Sequence, residues 1–341
     1  MSEASSKAPA ATSAPWLTPA IEQLRRARAQ QRFPAGLLIQ DERGAGGEAL
    51  ALYAAQLALC REPDAPCGRC RDCRQFGVGQ HPDFYQLHPI EESNYIVVEQ
   101  VRELAQQLAL TAHGGGATVA LISPADSLNR NAADALLKTL EEPRPNVTLI
   151  LVASSAVKLP ATIVSRCLRL RIPAPARAAS VAWLQGRCGP ALWPVVLDVL
   201  GDAPFEALQV DAAALARQKA DTDRALADIV AGQGDIAASA ERWTKGDPTG
   251  LRVACVETWI TARIDEAATS QRQSPELRSR THLPESGSDM NIALLLRLLE
   301  GLYELRRLRR TSVNRSLLLE QLLWQLRRAR APGAVPGRAE R

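Results

Sequence analysis

Four of the seven cysteines in this chain fall within fourteen residues, in the run Cys60-Arg-Glu-Pro-Asp-Ala-Pro-Cys67-Gly-Arg-Cys70-Arg-Asp-Cys73. Cys67, Cys70 and Cys73 are each separated by two residues. A Cys-x-x-Cys step turns two thiolates inward on one side of a tight loop, and Gly68 permits the sharp turn that this requires. Four thiolates make a closed tetrahedral shell, so the spacing predicts a structural zinc held by Cys60, Cys67, Cys70 and Cys73, with no open position for water or substrate. A disulfide pair, a redox Cys-x-x-Cys and unrelated buried thiols compete with that reading, although a redox motif needs only two cysteines. Cys167, Cys188 and Cys255 sit in apolar or mixed surroundings and read as small core side chains. His81 follows Cys73 by eight positions. With four thiolates already present it is read, with Pro82 and Asp83, as a rigid lead into a strand at Phe84.

The redox reading depends on compartment. Met1 to Pro15 is rich in Ala, Ser and Pro, carries Glu3 and Lys7, and lacks the continuous apolar stretch of a secretory signal. No window reaches the eighteen or so consecutive apolar residues of a membrane span. A cytoplasmic chain without membrane contact is expected, in which cysteines stay reduced and a cluster of them is read as a metal site. With 341 residues, 46% of them hydrophobic, the chain can build two or three domains with cores of their own. The formal charge of +4 is too small to indicate nucleic-acid binding by itself. Arg306, Arg307, Arg309 and Arg310 read as a solvated helix face.

The first half of the chain alternates short apolar runs with helical patterns. Strands are expected at 36–40, 84–87, 117–123 and 147–153, and helices at about 18–31, 46–59, 98–112 and 129–141. The strand runs are continuously apolar rather than alternating, which implies a parallel α/β sheet covered on both faces. Pro173-Ala-Pro-Ala-Arg-Ala marks a linker, and beyond it the sequence reads as helical throughout.

After the first strand, Gln40-Asp-Glu-Arg-Gly44-Ala-Gly46-Gly47-Glu48 stands where a phosphate-binding P-loop would stand. Such a loop needs Gly-x-x-x-x-Gly-Lys-[Ser/Thr], because the Lys reaches the outer phosphates and the hydroxyl ligates magnesium. Here Asp41 replaces the first Gly, Gly47 the Lys and Glu48 the hydroxyl residue. The third strand leads into Ser123-Pro124-Ala125-Asp126, with neither metal-facing position acidic. Loop shape is expected to survive and nucleotide chemistry to be lost.

Taken in order, the degenerate P-loop, the four-cysteine module, His81-Pro82-Asp83, the helix Asn131-Ala-Ala-Asp-Ala-Leu-Leu-Lys-Thr-Leu-Glu-Glu-Pro143 and Ser165-Arg166-Cys167 resemble the bacterial clamp-loader family of AAA+ proteins. Asn314-Arg315-Ser-Leu-Leu-Leu-Glu-Gln-Leu-Leu is similar to the last helix of that family's collar. The missing Lys and acids resemble the clamp-loader subunit that lacks ATPase activity rather than the ATP-hydrolysing gamma/tau subunit.

The resemblance implies an AAA+ α/β core over 16–172 with a zinc module at 60–73. It further implies a helical lid over 173–212, an all-helical collar domain over 213–330, and tails at 1–15 and 331–341. It implies that Arg166 is an arginine finger acting in trans on the ATP site of a neighbouring gamma/tau subunit. Partners implied are gamma/tau, delta, the sliding clamp and, through the complex, primer-template DNA, within the DNA polymerase III assembly. A sensor arginine expected after Gly201-Asp-Ala-Pro204 is replaced by Phe205 and Glu206, and Ser154 and Ser155 fall where a nucleotide sensor would lie. Two other readings remain open: an active ATPase subunit, which would need its own Lys and acids, and a zinc-dependent nucleic-acid-binding regulator, for which Arg61, Arg69, Arg71 and Arg74 speak.

Overall fold

The computed structural model describes residues 11–41, 44–90, 94–113, 115–245, 250–273, 292–307 and 314–328. Most of the two expected tails, 1–10 and 331–341, thus lies outside the described residues. Ala11 and Ala14, just inside them, are buried. The chain divides into two compact units, Met1–Gly189 with Asp202–Leu208, and Pro190–Gly201 with Gln209–Arg341. Residues 173–212, read as a lid, are divided between the two.

The first unit is built on a parallel sheet of five strands: β1 (Gly36–Gln40), β2 (Phe84–Leu87), β3 (Thr118–Ile122), β4 (Val147–Ala153) and β5 (Leu168–Arg171). Their spatial order is β2-β3-β4-β1-β5. Register is set by pairs such as Gly36 with Leu149 and Leu37 with Leu168. Strands β3 and β4 are buried along their whole length, which is why their sequences are apolar at every position. β5 is the exception. Its Leu-Arg-Leu-Arg pattern buries only Leu170, as suits an edge strand whose charged residues discourage pairing with another chain.

Helices cover the sheet. They are α1 (Thr18–Ala29), α2 (Gly47–Leu59), α3 (Arg71–Gly77), α4 (Val98–Leu108), α5 (Arg130–Glu141), α6 (Ala161–Val164) and α7 (Arg177–Cys188). Helix α2 is buried on nearly every side, and its sequence is correspondingly apolar all round. Helix α5 begins where the Asn129 side chain accepts from the Ala132 N–H at 2.8 Å, satisfying one of the four amides that open a helix. Its apolar stripe, Ala132, Ala133, Leu136 and Leu140, joins Leu104, Ile122 and Leu149 in one core. The four expected strands are present, the third one residue shorter at each end. The sheet also contains a fifth strand, β5, directly after Ser165-Arg166-Cys167. Helices α3 and α6 lacked a periodic signal because each is too short to show one.

The second unit is all-helical among its described residues: α8 (Trp193–Leu200), α10 (Ala212–Ala231), α11 (Ile236–Lys245), α12 (Leu251–Gln273), α13 (Ile292–Arg307) and α14 (Arg315–Arg328). Between α8 and α10 in sequence, α9 (Pro204–Ala207) belongs to the first unit. Leu226, Trp243, Trp259, Leu298 and Leu323 pack at the centre of the second unit. Arg306 is exposed, and its Nη1 also meets Glu257 Oε2 at 2.8 Å. The side chains of Arg307, Arg309 and Arg310 lie outside the described residues. Cys255 and Cys167 are buried as expected, but Cys188 is exposed, being the last residue of α7 on a helix end open to solvent. Among the described residues no helix is long and apolar enough to cross a membrane.

Candidate functional site

The loop between β1 and α2 closes on a side chain of its own. The carboxylate of Asp41 accepts hydrogen bonds from the backbone N–H groups of Ala45 (2.7 Å), Gly46 (3.2 Å) and Gly47 (2.6 Å). These amides open a helix and point into the concave side of the loop, the position in which a P-loop binds phosphate. Asp41 therefore supplies the negative charge that a nucleotide would otherwise bring. Gly46 adopts φ 109°, a left-handed conformation that side-chain-bearing residues rarely take.

A second feature fills the space above. A Cβ on Gly46 would lie 2.4 Å from Phe205 Cε2, so the aromatic ring lies directly on the loop. Phe205 stacks on Trp183 with ring centroids 4.8 Å apart, and Trp16 meets Trp183 edge-on at 5.3 Å. Trp16 Nε1 donates to the Ala45 carbonyl at 2.7 Å. Phe205 was expected in this neighbourhood from the sequence. Trp16 and Trp183 were not, because no local pattern connects residues so far apart in the chain.

Below the third strand, Ser154 Oγ donates to Asp126 Oδ2 at 2.6 Å, and Lys158 Nζ lies 3.4 Å from the same oxygen. The segments that follow β3 and β4 are thus joined in a local network. Ser155 instead caps the following turn, accepting from the Val157 N–H.

Arg166 lies between α6 and β5, with its side chain 36% exposed. Its backbone is tightly held. A Cβ on Gly36 would lie 3.0 Å from the Arg166 carbonyl oxygen and 3.2 Å from Cys167 Sγ, so a larger residue there would press on this turn. Burial pushes the Cys167 thiol up to about 11, keeping it an uncharged packing group. The guanidinium makes three contacts: Nη2 with Glu141 Oε1 at 2.8 Å, and Nη1 with the Thr162 carbonyl at 2.9 Å and Ser165 Oγ at 3.4 Å. Glu141 has no sequence signal for such a role beyond its place in the Leu-Glu-Glu-Pro ending of α5.

The four clustered cysteines converge. Their sulfurs all lie within 4.8 Å of one another, with Cys60 3.7 Å from Cys67 and 3.9 Å from Cys70. Four ligands at Zn–S distances of about 2.3 Å would have sulfur–sulfur edges of about 3.8 Å, so the donor set fits a tetrahedral thiophilic cation. The Cys70 and Cys73 N–H groups donate to the sulfurs of Cys67 and Cys70, each at 3.3 Å, which favours thiolate character. The N–H of Arg69, then that of Cys70, draws the Cys67 thiol down to about 7. Burial pushes Cys60 and Cys73 up, a cost that a bound divalent cation would reverse.

His81 stands outside this cluster. Its Nδ1 accepts from the Asp83 N–H at 3.1 Å, while Nε2 lies 3.7 Å from Asp72 of the cysteine module. Asp83 in turn accepts from the His113 N–H at 2.9 Å. The segment thus braces the start of β2, as its sequence suggested.

Comparison with known proteins gives a consistent family. A family model described as DNA polymerase III, delta subunit, matches residues 16–176. DNA polymerase III subunit delta' of Pseudomonas aeruginosa is 34% identical over 307 residues, spanning 87% of this chain and 92% of that protein. The delta' subunits of Haemophilus influenzae and Escherichia coli are each 38% identical, over 179 and 172 residues, about half of either chain. The chain belongs to the delta' family of DNA polymerase III clamp-loader subunits.

Proposed function

We propose that this chain is the clamp-loader subunit that does not hydrolyse ATP itself but completes a neighbour's ATP site. The observation carrying this reading is the Asp41 carboxylate on three amides of the degenerate P-loop. Phosphate bound there would have to displace a tethered anion that is always present at high local concentration. It would do so without a Lys to attract it, since Gly47 and Glu48 follow. The aromatic group of Trp16, Trp183 and Phe205 adds a steric objection.

Arg166 is the residue this reading assigns to chemistry. An arginine finger must have a fixed backbone and a reachable fork, and Arg166 combines a backbone wedged against Gly36 with a partly exposed guanidinium. A planar, permanently charged fork suits the γ-phosphate and the charge that develops as the phosphoryl group leaves. In this role the chain acts beside gamma/tau and delta while the complex places the sliding clamp on primer-template DNA. The second unit, all-helical in its described part, is assigned to the collar. The four cysteines are assigned to zinc, which would supply a rigid crosslink and no reactivity.

The test is reconstitution with gamma/tau and delta. The chain should form a defined complex with them, and Arg166→Ala should assemble equally well. The complex carrying it should hydrolyse ATP more slowly with clamp and primed DNA. A trans finger is worth about 10³–10⁵ in rate at the site it serves, but other sites keep theirs, so the defect should be partial. Lys at position 166 should restore little, lacking the bidentate fork. Unchanged clamp-stimulated hydrolysis in the Ala variant, or failure to assemble, would remove the assignment.

A further inference from the structure

The Arg166 side chain is partly engaged within its own chain. Its Nη1 is committed to the Thr162 carbonyl and Ser165, and its Nη2 to Glu141, so both ends of the fork are occupied within the same chain. A bidentate grip on phosphate uses two N–H groups side by side, and Glu141 competes with a phosphate for the Nη2 end of the fork.

Glu141 is placed oddly for a residue that only stabilises its helix. It is the last residue of α5, with Glu142 after it, at the end of the helix where the peptide dipoles accumulate negative charge. Cations are favoured there and carboxylates are disfavoured. The compensation visible in the structure is the Arg166 guanidinium at 2.8 Å. The pair is also open to water, with side chains 36% and 47% exposed, so it is weak enough to exchange. A phosphate carries more charge than a carboxylate and offers more acceptor oxygens, and it would win the guanidinium when brought within reach.

We propose that Glu141 is a positioning residue: it parks Arg166 on its own subunit and so sets how readily the arginine engages a neighbour's nucleotide. This rests on the trans role proposed above. The side chain changes partner, from the carboxylate in cis to a phosphate in trans, while the Arg166 backbone N–H keeps its bond to the Ile163 carbonyl.

The test uses Glu141→Gln, which keeps size and shape while removing the charge, in the reconstituted complex with clamp and primed DNA. ATP turnover should rise, by at most about fivefold, because an exposed ion pair holds back no more than that. A merely structural role for Glu141 would lower turnover instead. Combined with Arg166→Ala, the Gln substitution should add nothing, since Glu141 acts only through the arginine. In the isolated chain, the Nη2–H protons of Arg166, which face Glu141, should exchange with water faster in the Gln variant. If Arg166→Ala impairs turnover while Glu141→Gln leaves it unchanged or lowers it, the parking role is overturned and the finger stands. If Arg166→Ala has no effect, both fall together. A Gln effect that persists without Arg166 also overturns the parking role.

Discussion

Asp41 shows how one side chain can convert a ligand-binding loop into a closed structural element. In a nucleotide-binding relative of this fold the amides after β1 wait for phosphate. Here they are satisfied on folding, and the loop gains the stability of a charged cap over the start of α2. Asp41→Ala should leave three N–H groups without their partner and destabilise the protein by about 1–3 kcal/mol in denaturant unfolding. It should not create ATP binding by calorimetry, because neither the Lys nor the hydroxyl returns with it. Saturable ATP binding by either the native chain or this variant would show that the loop retains nucleotide chemistry. The substitution of Asp for the first P-loop Gly was legible in the sequence as a defect. Its positive role was not, since it depends on where the carboxylate points.

At the scale of elements, the cysteine module and helix α12 illustrate two different uses of buried ionisable groups. The module is a short loop and about two turns of helix, whose Phe76 packs on Phe84, and the metal crosslink is expected to hold the loop. Elemental analysis should give about one zinc per chain. Cys70→Ser should lose it, raising hydrogen exchange over residues 60–80 while β3 and β4 stay protected, because their cores lie elsewhere. The ion pair of Arg61 with Asp72 at 3.3 Å has Arg61 half-exposed and is a weak substitute for the metal.

On α12, Glu257 is buried, and its Oε1 has no hydrogen-bond partner. Burial pushes its pKa above the usual carboxylate value despite Arg306, the second and opposing influence. The folded state therefore holds the proton more tightly than the unfolded one, so this group's contribution is most favourable at low pH and is lost as pH rises through the raised pKa. Glu257→Leu should consequently raise stability by about 1 kcal/mol at pH 8, since the half-exposed Arg306 can turn to water. That gain should shrink as pH falls through the Glu257 pKa, where the native carboxyl is already neutral. A gain that grows on acidification would contradict this account.

For the whole molecule, most strands and the long helices of the first unit could be read directly, because a strand covered on both faces must be apolar at each position and a half-buried helix must repeat its apolar residues every three to four. β5 escaped that logic. As an edge strand it needs only Leu170 inside, so its arginines hide it. The convergence of Cys60, Cys67, Cys70 and Cys73 was legible because their spacing turns the thiols to one side of a tight loop. Glu141, Gly36, Trp16 and Trp183 were not, since each acts on residues distant in sequence. The sequence by itself determined the strand and helix periods, the cysteine spacing and the absence of a Gly-Lys-[Ser/Thr] step after β1, all of which are local properties. Only the tertiary structure decided that Asp41 occupies the emptied loop, that three aromatic rings close over it and that Glu141 engages Arg166. Those contacts arise when the folded chain brings separate segments within hydrogen-bonding and van der Waals distance, and no local periodicity encodes that proximity.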